Sequence, residues 1–260
     1  MSREFELLQR IEKERDLGSY SRDSFGDPVR TPRQRTPPEI PDEKTATASL
    51  LASSLAPGVR SELSKLILAT FLSTSSSIKT AMFTGVEAGD GAKWIAACTA
   101  DVLSQSTCHR VCLLDADLSL PTLHRYFSVA NETGLAAVLE RVCSIPRATK
   151  CVGENLWLLP AGMKPLNWQR IAAMFQESIV ELRGSFDYLV ICGPDSGHHA
   201  DLAVVGAATE GAVLVLDAQS TRRVAAQQAK LALQAAKIRI LGSVFNNQNF
   251  PVPEFLSSRL

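Results

Sequence analysis

The chain lacks a charge excess of either sign: lysine plus arginine and aspartate plus glutamate each total 27 in 260 residues. No protein-wide field gathers nucleic acid or an anionic membrane surface, so partner choice falls to local surface. Paired cysteine motifs are also missing. The six cysteines (Cys98, Cys108, Cys112, Cys143, Cys151, Cys192) show no C-x-x-C spacing, and most lie in apolar or alanine-rich runs where a thiol is a small hydrophobe. This usage points to a reducing cytoplasm. Cys192 with His198 and His199 lacks a second pair to complete a metal site. The amino terminus is charged, with no apolar signal segment, and no run approaches the roughly 20 apolar residues that span a bilayer. Any membrane association is therefore expected to be indirect, with no direct span.

What is present is a core: 45% of the residues are hydrophobic. Residues 1–16 carry a short stripe, Phe5, Leu8 and Ile11, among charges. Such a leader is too short to be a stable helix alone in water, and reads either as a docking helix or as a frayed end. Residues 17–55 turn to arginine, serine and proline, a composition that cannot bury enough apolar surface to order itself, and read as a linker. The folded domain is expected over 56–247, and 248–260 form a tail.

Within the domain, apolar runs alternate with helical patterns. Strands are expected at 79–84, 110–115, 156–159, 188–192, 212–217 and 239–245, and helices at 61–71, 93–105, 134–142, 167–182, 201–208 and 221–236. Strands apolar on both faces and separated by helices predict an α/β fold, a doubly wound and mainly parallel sheet flanked by helices. In such sheets ligands sit at the carboxyl ends of the strands.

The stretch Val86 to Trp94 follows the first strand and opens the next helix. It has the layout of a phosphate loop, whose G-x-x-x-x-G-K-[ST] order supplies converging N–H groups, a lysine charge and a hydroxyl for Mg²⁺. Gly89, Asp90 and Gly91 keep the turn. With Gly91 as the last loop glycine, Ala92 takes the lysine position, Lys93 the hydroxyl position, and Val86 the first-glycine position. Sliding by one restores Lys93 as the lysine but puts Ala92 on a glycine and Trp94 on the hydroxyl. Losing the lysine and a metal ligand together weakens an ordinary nucleotide by about two to four decades. Trp94 either intrudes into the phosphate space or turns away and packs. At the end of the second strand, Asp115 and Asp117 reach the same edge. They could hold Mg²⁺ water or accept a hydroxyl proton, or simply cap the following turn.

Taken in one order, the glycine turn, the run Leu113 to Phe127 with Asp115 and Asp117, Asn155 to Gly162, Phe186 to Cys192 and Leu241 to Asn246 carry a resemblance over roughly Ala56 to Asn247. The chain resembles the cytoplasmic tyrosine kinases of bacterial capsule and exopolysaccharide synthesis, within the MinD/ParA group of P-loop ATPases. The resemblance implies a P-loop NTPase-like fold, an ATP·Mg²⁺ site, and a membrane-embedded polysaccharide co-polymerase or export component as partner, with a homo-oligomer as an expected assembly. It gives Asp115 and Asp117 roles in metal binding and tyrosine activation, and gives Asn246 a contact to adenine. Departures accompany the matches. The arginine usual two residues beyond the Asp motif is Ser119, and the metal-associated aspartate of a later strand is Cys192, with Asp195 three residues on. The tail has no tyrosine where the kinases carry an acceptor cluster. Only Tyr20, Tyr126 and Tyr188 exist, and Tyr20 alone falls in the linker.

The reading that follows is a pseudo-kinase regulator or adaptor at the cytoplasmic side of the inner membrane, binding ATP and Mg²⁺ weakly or not at all. Its rivals are an active autokinase using Lys93, Asp115 and Asp117, and a positioning ATPase of the MinD/ParA type. The last needs a lysine five positions before the loop lysine, where this chain has Glu87 or Ala88.

Overall fold

The computed structural model describes residues 51, 54–73, 78–163 and 168–248. The leader, Tyr20, nearly all of the linker and residues 249–260 lie outside the described residues. Fifteen elements follow in order: α1 (Pro57–Thr70), β1 (Thr80–Gly85), α2 (Ala92–Thr107), β2 (Val111–Asp115), α3 (Leu123–Tyr126), α4 (Leu135–Leu139), α5 (Ile145–Ala148), β3 (Lys150–Gly153), β4 (Leu156–Leu159), α6 (Trp168–Ser185), β5 (Tyr188–Cys192), α7 (His199–Ala207), β6 (Ala212–Asp217), α8 (Arg223–Ala235) and β7 (Ile240–Asn246).

The sheet runs β3-β4-β2-β5-β1-β6-β7. Every pairing is parallel except β3 with β4. All of β1 and β2, and nearly all of β5 and β6, are buried, because side chains of both parities meet a helical layer. Phe83, Leu113, Val190 and Val213 join one apolar cluster with α1 and α2, while Met82, Leu114, Ile191 and Leu214 join another with α6, α7 and α8. Period-two alternation thus sends each strand's residues into two cores, which is why these strands read as continuous apolar runs. The expected parallel α/β sheet is what the chain forms. No described helix is long and apolar enough to cross a membrane.

Two features went unanticipated. β3 is a four-residue strand that returns antiparallel to β4, and its pattern of partial exposure lacks the long apolar signature of the others. The short helices α3 and α5 fill what reads in the sequence as loop.

α2 is buried along ten consecutive residues, Ile95 to Ser104, between the sheet and α1. Six of those ten are small (Ala96, Ala97, Cys98, Thr99, Ala100 and Ser104), and small side chains let a central helix approach the sheet closely. Gly134 is another close approach: a Cβ there would collide with the carbonyl of Pro160 and the amide of Gly162. Because backbone cannot yield cheaply, Gly134→Ala is expected to destabilise the domain by about 1–3 kcal/mol, read as a lower urea midpoint at unchanged m-value.

Candidate functional site

The carboxyl ends of β1, β2, β5, β6 and β7 converge on one edge, where five loops meet. The first is the glycine turn. Gly89 and Gly91 both take left-handed φ values, 100° and 86°, and Gly91 stands at the N-cap of α2. Ala92 is the first helical residue and Lys93 the second.

Lys93 does not stay over the loop. Its ammonium crosses to β2, where Nζ lies 2.7 Å from Asp117 Oδ2 and also donates to the Leu120 carbonyl. The side chains are 21% and 8% exposed, so the pair is largely shielded from water. The second oxygen of Asp117 accepts the N–H groups of Ser119 and Leu120 at 3.2 and 3.1 Å. Asp117 is thereby both a turn cap and the counterion of Lys93.

Asp115 is completely buried. Its Oδ2 accepts the N–H groups of Thr122 and Leu123 at 3.3 and 3.2 Å, and Oδ1 that of Asp117 at 3.3 Å. These bonds seat the start of α3. Burial nevertheless dominates: it pushes the Asp115 carboxyl up to about 7, against the opposing pull of the Lys93 ammonium. Asp115 is the register partner of Cys192 on β5, so their side chains share a face of the sheet. Burial, and then the charge of Asp115, raise the Cys192 thiol well above its ordinary value, and it stays protonated.

Trp94 turns away from the loop. Its ring meets Tyr126 of α3 edge-on, with centroids 5.6 Å apart, and it packs partly buried against the α1 and α2 core. Of the two orientations left open by the sequence, packing is the one adopted. Asp195 faces its own turn, accepting the Gly197 N–H at 3.2 Å with His198 Nε2 at 3.9 Å.

Asp90 knots the remaining loops together. Its carboxylate accepts the Glu87 N–H at 2.7 Å and the Thr221 hydroxyl at 3.2 Å, and its carbonyl accepts Asn246 Nδ2 at 3.1 Å. A Cβ at Gly91 would strike that Asn246 amide. Asp217, at the end of β6, accepts Gln219 and Ser220 N–H groups and Asn247 Nδ2, tying the β6 to α8 loop to the end of β7. Thr221, Asp217, Asn247 and Tyr126 were not singled out from sequence. The position of Asp217 at a strand's carboxyl end was the available signal.

Mg²⁺ takes hard oxygen ligands. At the three places where the phosphate-loop pattern and the resemblance put a lysine, a hydroxyl and a carboxylate, this chain has a methyl group (Ala92), an ammonium already paired (Lys93) and a neutral thiol (Cys192). These three places hold no hard oxygen donor, and the carboxylates left on the same edge are Asp115 and Asp117.

A glycine turn between β1 and α2, on the carboxyl edge of a largely parallel sheet, defines a P-loop NTPase-type fold of the MinD/ParA group. Solved structures agree on the fold. The chimerical protein CapA2B2 superposes with a TM-score of 0.69 at 21% identity, covering 78% of this chain and 91% of that one. MinD of Pyrococcus horikoshii OT3, complexed with Mg-ADP, gives 0.52 at 20% identity over 69% and 75%. In sequence, the chain is 31% identical over 181 residues to tyrosine-protein kinase YwqD of Bacillus subtilis, covering 68% of this chain and 76% of the relative. With CapB of Staphylococcus aureus the identity is 27% over 192 residues, 73% and 81% of the two chains. No protein-family profile matches. The chain belongs to the bacterial tyrosine-protein kinase family represented by YwqD.

Two outcomes follow from the charges. Because the folded-state pKa of Asp115 lies above its unfolded value near 3.8, the native chain holds the proton more tightly than the unfolded chain. The resulting stability is fully present below pH 4 and is lost as pH rises through 7, a difference of about 4 kcal/mol. Urea unfolding from pH 4 to 8 is expected to show this slope in the wild type and a flatter one in Asp115→Asn. Lys93→Met leaves Asp117 shielded and unpaired and is expected to cost about 3 kcal/mol, much of it recovered in Lys93→Met/Asp117→Asn.

Proposed function

We propose that the chain is a degenerate kinase, a pseudo-kinase that serves as a cytoplasmic regulator or adaptor of bacterial exopolysaccharide or capsule biosynthesis and export. It acts through protein contacts, with a membrane-embedded polysaccharide co-polymerase or export component as partner, and does not turn over ATP. The observation that carries this reading is the Lys93–Asp117 pair at 2.7 Å. With Gly91 capping α2 and Ala92 opening it, Lys93 occupies the residue that supplies a metal-binding hydroxyl in a working phosphate loop, and its ammonium lies against a carboxylate that would otherwise face the cation. One fixed positive charge stands in the place of a divalent ion, and nothing stands in the place of the loop lysine.

Three further observations support the same reading. Cys192 is neutral and offers a soft donor poorly suited to Mg²⁺. The amide of Asn246, expected to meet a base, is spent on the Asp90 carbonyl. Residues 248–260 contain no tyrosine.

The retained Asp115 and Asp117 favour a second reading, an autokinase that phosphorylates Tyr20 or a partner. Isothermal titration with Mg·ATP separates the two. No binding in the low-micromolar range is expected for the wild type. The double variant Ala92→Lys/Lys93→Ser, which rebuilds a lysine and a hydroxyl in order, is expected to gain at least tenfold in affinity. Low-micromolar wild-type binding, or ³²P transfer from ATP that vanishes in Asp117→Asn, would overturn the pseudo-kinase reading.

A further inference from the structure

The two signs of charge, level at 27 each over the whole chain, are unevenly spread. From Ala218 to Gln248, the stretch that builds α8 and the end strand β7, the charged residues are Arg222, Arg223, Lys230, Lys237 and Arg239, with no carboxylate among them. All five are exposed, and among the described residues none has an ion-pair partner. Asp217 and Glu210, the acidic residues that precede the stretch, are held by other groups. Asp217 accepts Gln219, Ser220 and Asn247, while Glu210 accepts the Lys79 and Thr80 N–H groups at 2.7 Å each, with Arg183 at 3.9 Å. The helix dipole does not account for the cations either. Arg222 is the N-cap of α8 and Arg223 its first residue, where positive charge opposes the dipole, and the last turn has no basic residue. α8 turns Ala229 and Leu233 inward and leaves Val224 and Leu231, seven residues apart on one face, each 63% exposed. Arg223 and Lys230 repeat at the same interval along the flank toward β7, where Phe245 is 59% exposed. Glu87 lies on the other flank, toward α7.

We propose that the outer face of α8 docks directly on an anionic lipid surface, peripherally and without a span. Arg222, Arg223 and Lys230 meet lipid phosphates, and Val224, Leu231 and Phe245 enter the headgroup layer. α8 is about 20 Å long, and Lys237 and Arg239 carry the basic strip past its end. A helix face that combines exposed apolar side chains with cations and no acid is the pattern of a membrane-surface helix. Here the strongly apolar face of the helix is spent on the sheet, so the contact with lipid is shallow and depends on charge. Duplex DNA has a use for the cations and none for Val224 and Leu231, which hold the crest of the face, whereas lipid uses both. None of these residues belongs to the Lys93–Asp117 crevice, so lipid binding is independent of whether the chain turns over ATP.

Co-sedimentation of the full chain with vesicles tests this. Binding is expected to phosphatidylcholine vesicles containing about one third phosphatidylglycerol and not to pure phosphatidylcholine, and it should weaken about tenfold or more as salt rises from about 0.05 to about 0.3 M. Arg223→Ser/Lys230→Ser is expected to lose about tenfold or more in affinity for the anionic vesicles. Val224→Ser/Leu231→Ser should lose about fivefold at unchanged salt dependence. All four side chains are exposed, so both variants are expected to unfold at the wild-type urea midpoint. Absence of binding to the anionic vesicles at low salt, equal binding to both vesicle types, or unchanged binding in Arg223→Ser/Lys230→Ser overturns the proposal. So does binding to a DNA duplex that matches the anionic vesicles in strength and is indifferent to Val224→Ser/Leu231→Ser, because the face is then a nucleic-acid surface.

Discussion

A sheet that is apolar on both faces leaves polar chemistry one outlet, the rim where the strands stop. β1, β2, β5 and β6 bury their side chains alternately in two cores, so the polar groups of these strands gather at their ends, and those at the carboxyl ends are received by helix amides and loop hydrogen bonds. Asp115, Asp117, Cys192, Asp217 and Asn246 all stand at such ends. Their proximity is a property of the winding. Which chemistry they perform is decided by the few side chains that face one another across the crevice.

Lys93 decides most of it. A cation is needed at that spot whether or not a nucleotide is ever bound, since Asp117 is shielded and Asp115 sits deeper still. In a magnesium-dependent relative, the ion and its phosphates would settle that charge together. Here the Lys93 ammonium lies against Asp117 at 2.7 Å and answers that charge with a side chain. The raised Asp115 carboxyl and protonated Cys192 belong to the same economy: three groups around one fixed positive charge, with Asp117 bearing the negative charge that answers it.

The architecture was legible in the sequence because strands such as 188–192 and 212–217 are unbroken apolar runs between helical segments, and that pattern has few other homes. β3 escaped because four residues beginning with Lys150 and ending with Gly153 make no such run. The members of the site were legible as residue types at strand ends. Their contacts were not, since the reach of Lys93 to Asp117 and Leu120 depends on how α2 lies against β2, and the orientation of Trp94 depends on Tyr126, carried by a helix of four residues that the sequence pattern does not announce. The role of Asp115 as the seat of α3 was hidden for the same reason.

The knot around Asp90 also bears on time. The glycine turn is fastened to the β6 to α8 loop through the Thr221 hydroxyl and to β7 through the Asn246 amide, and one of its own amides, the Glu87 N–H, donates to the Asp90 carboxylate. A guest that needed the Glu87 N–H would have to displace that carboxylate, and its apparent grip would be diluted by the fraction of molecules in which the bond is open. Encounter would then be governed by an opening step within the protein and would saturate as guest concentration rises, instead of climbing with it.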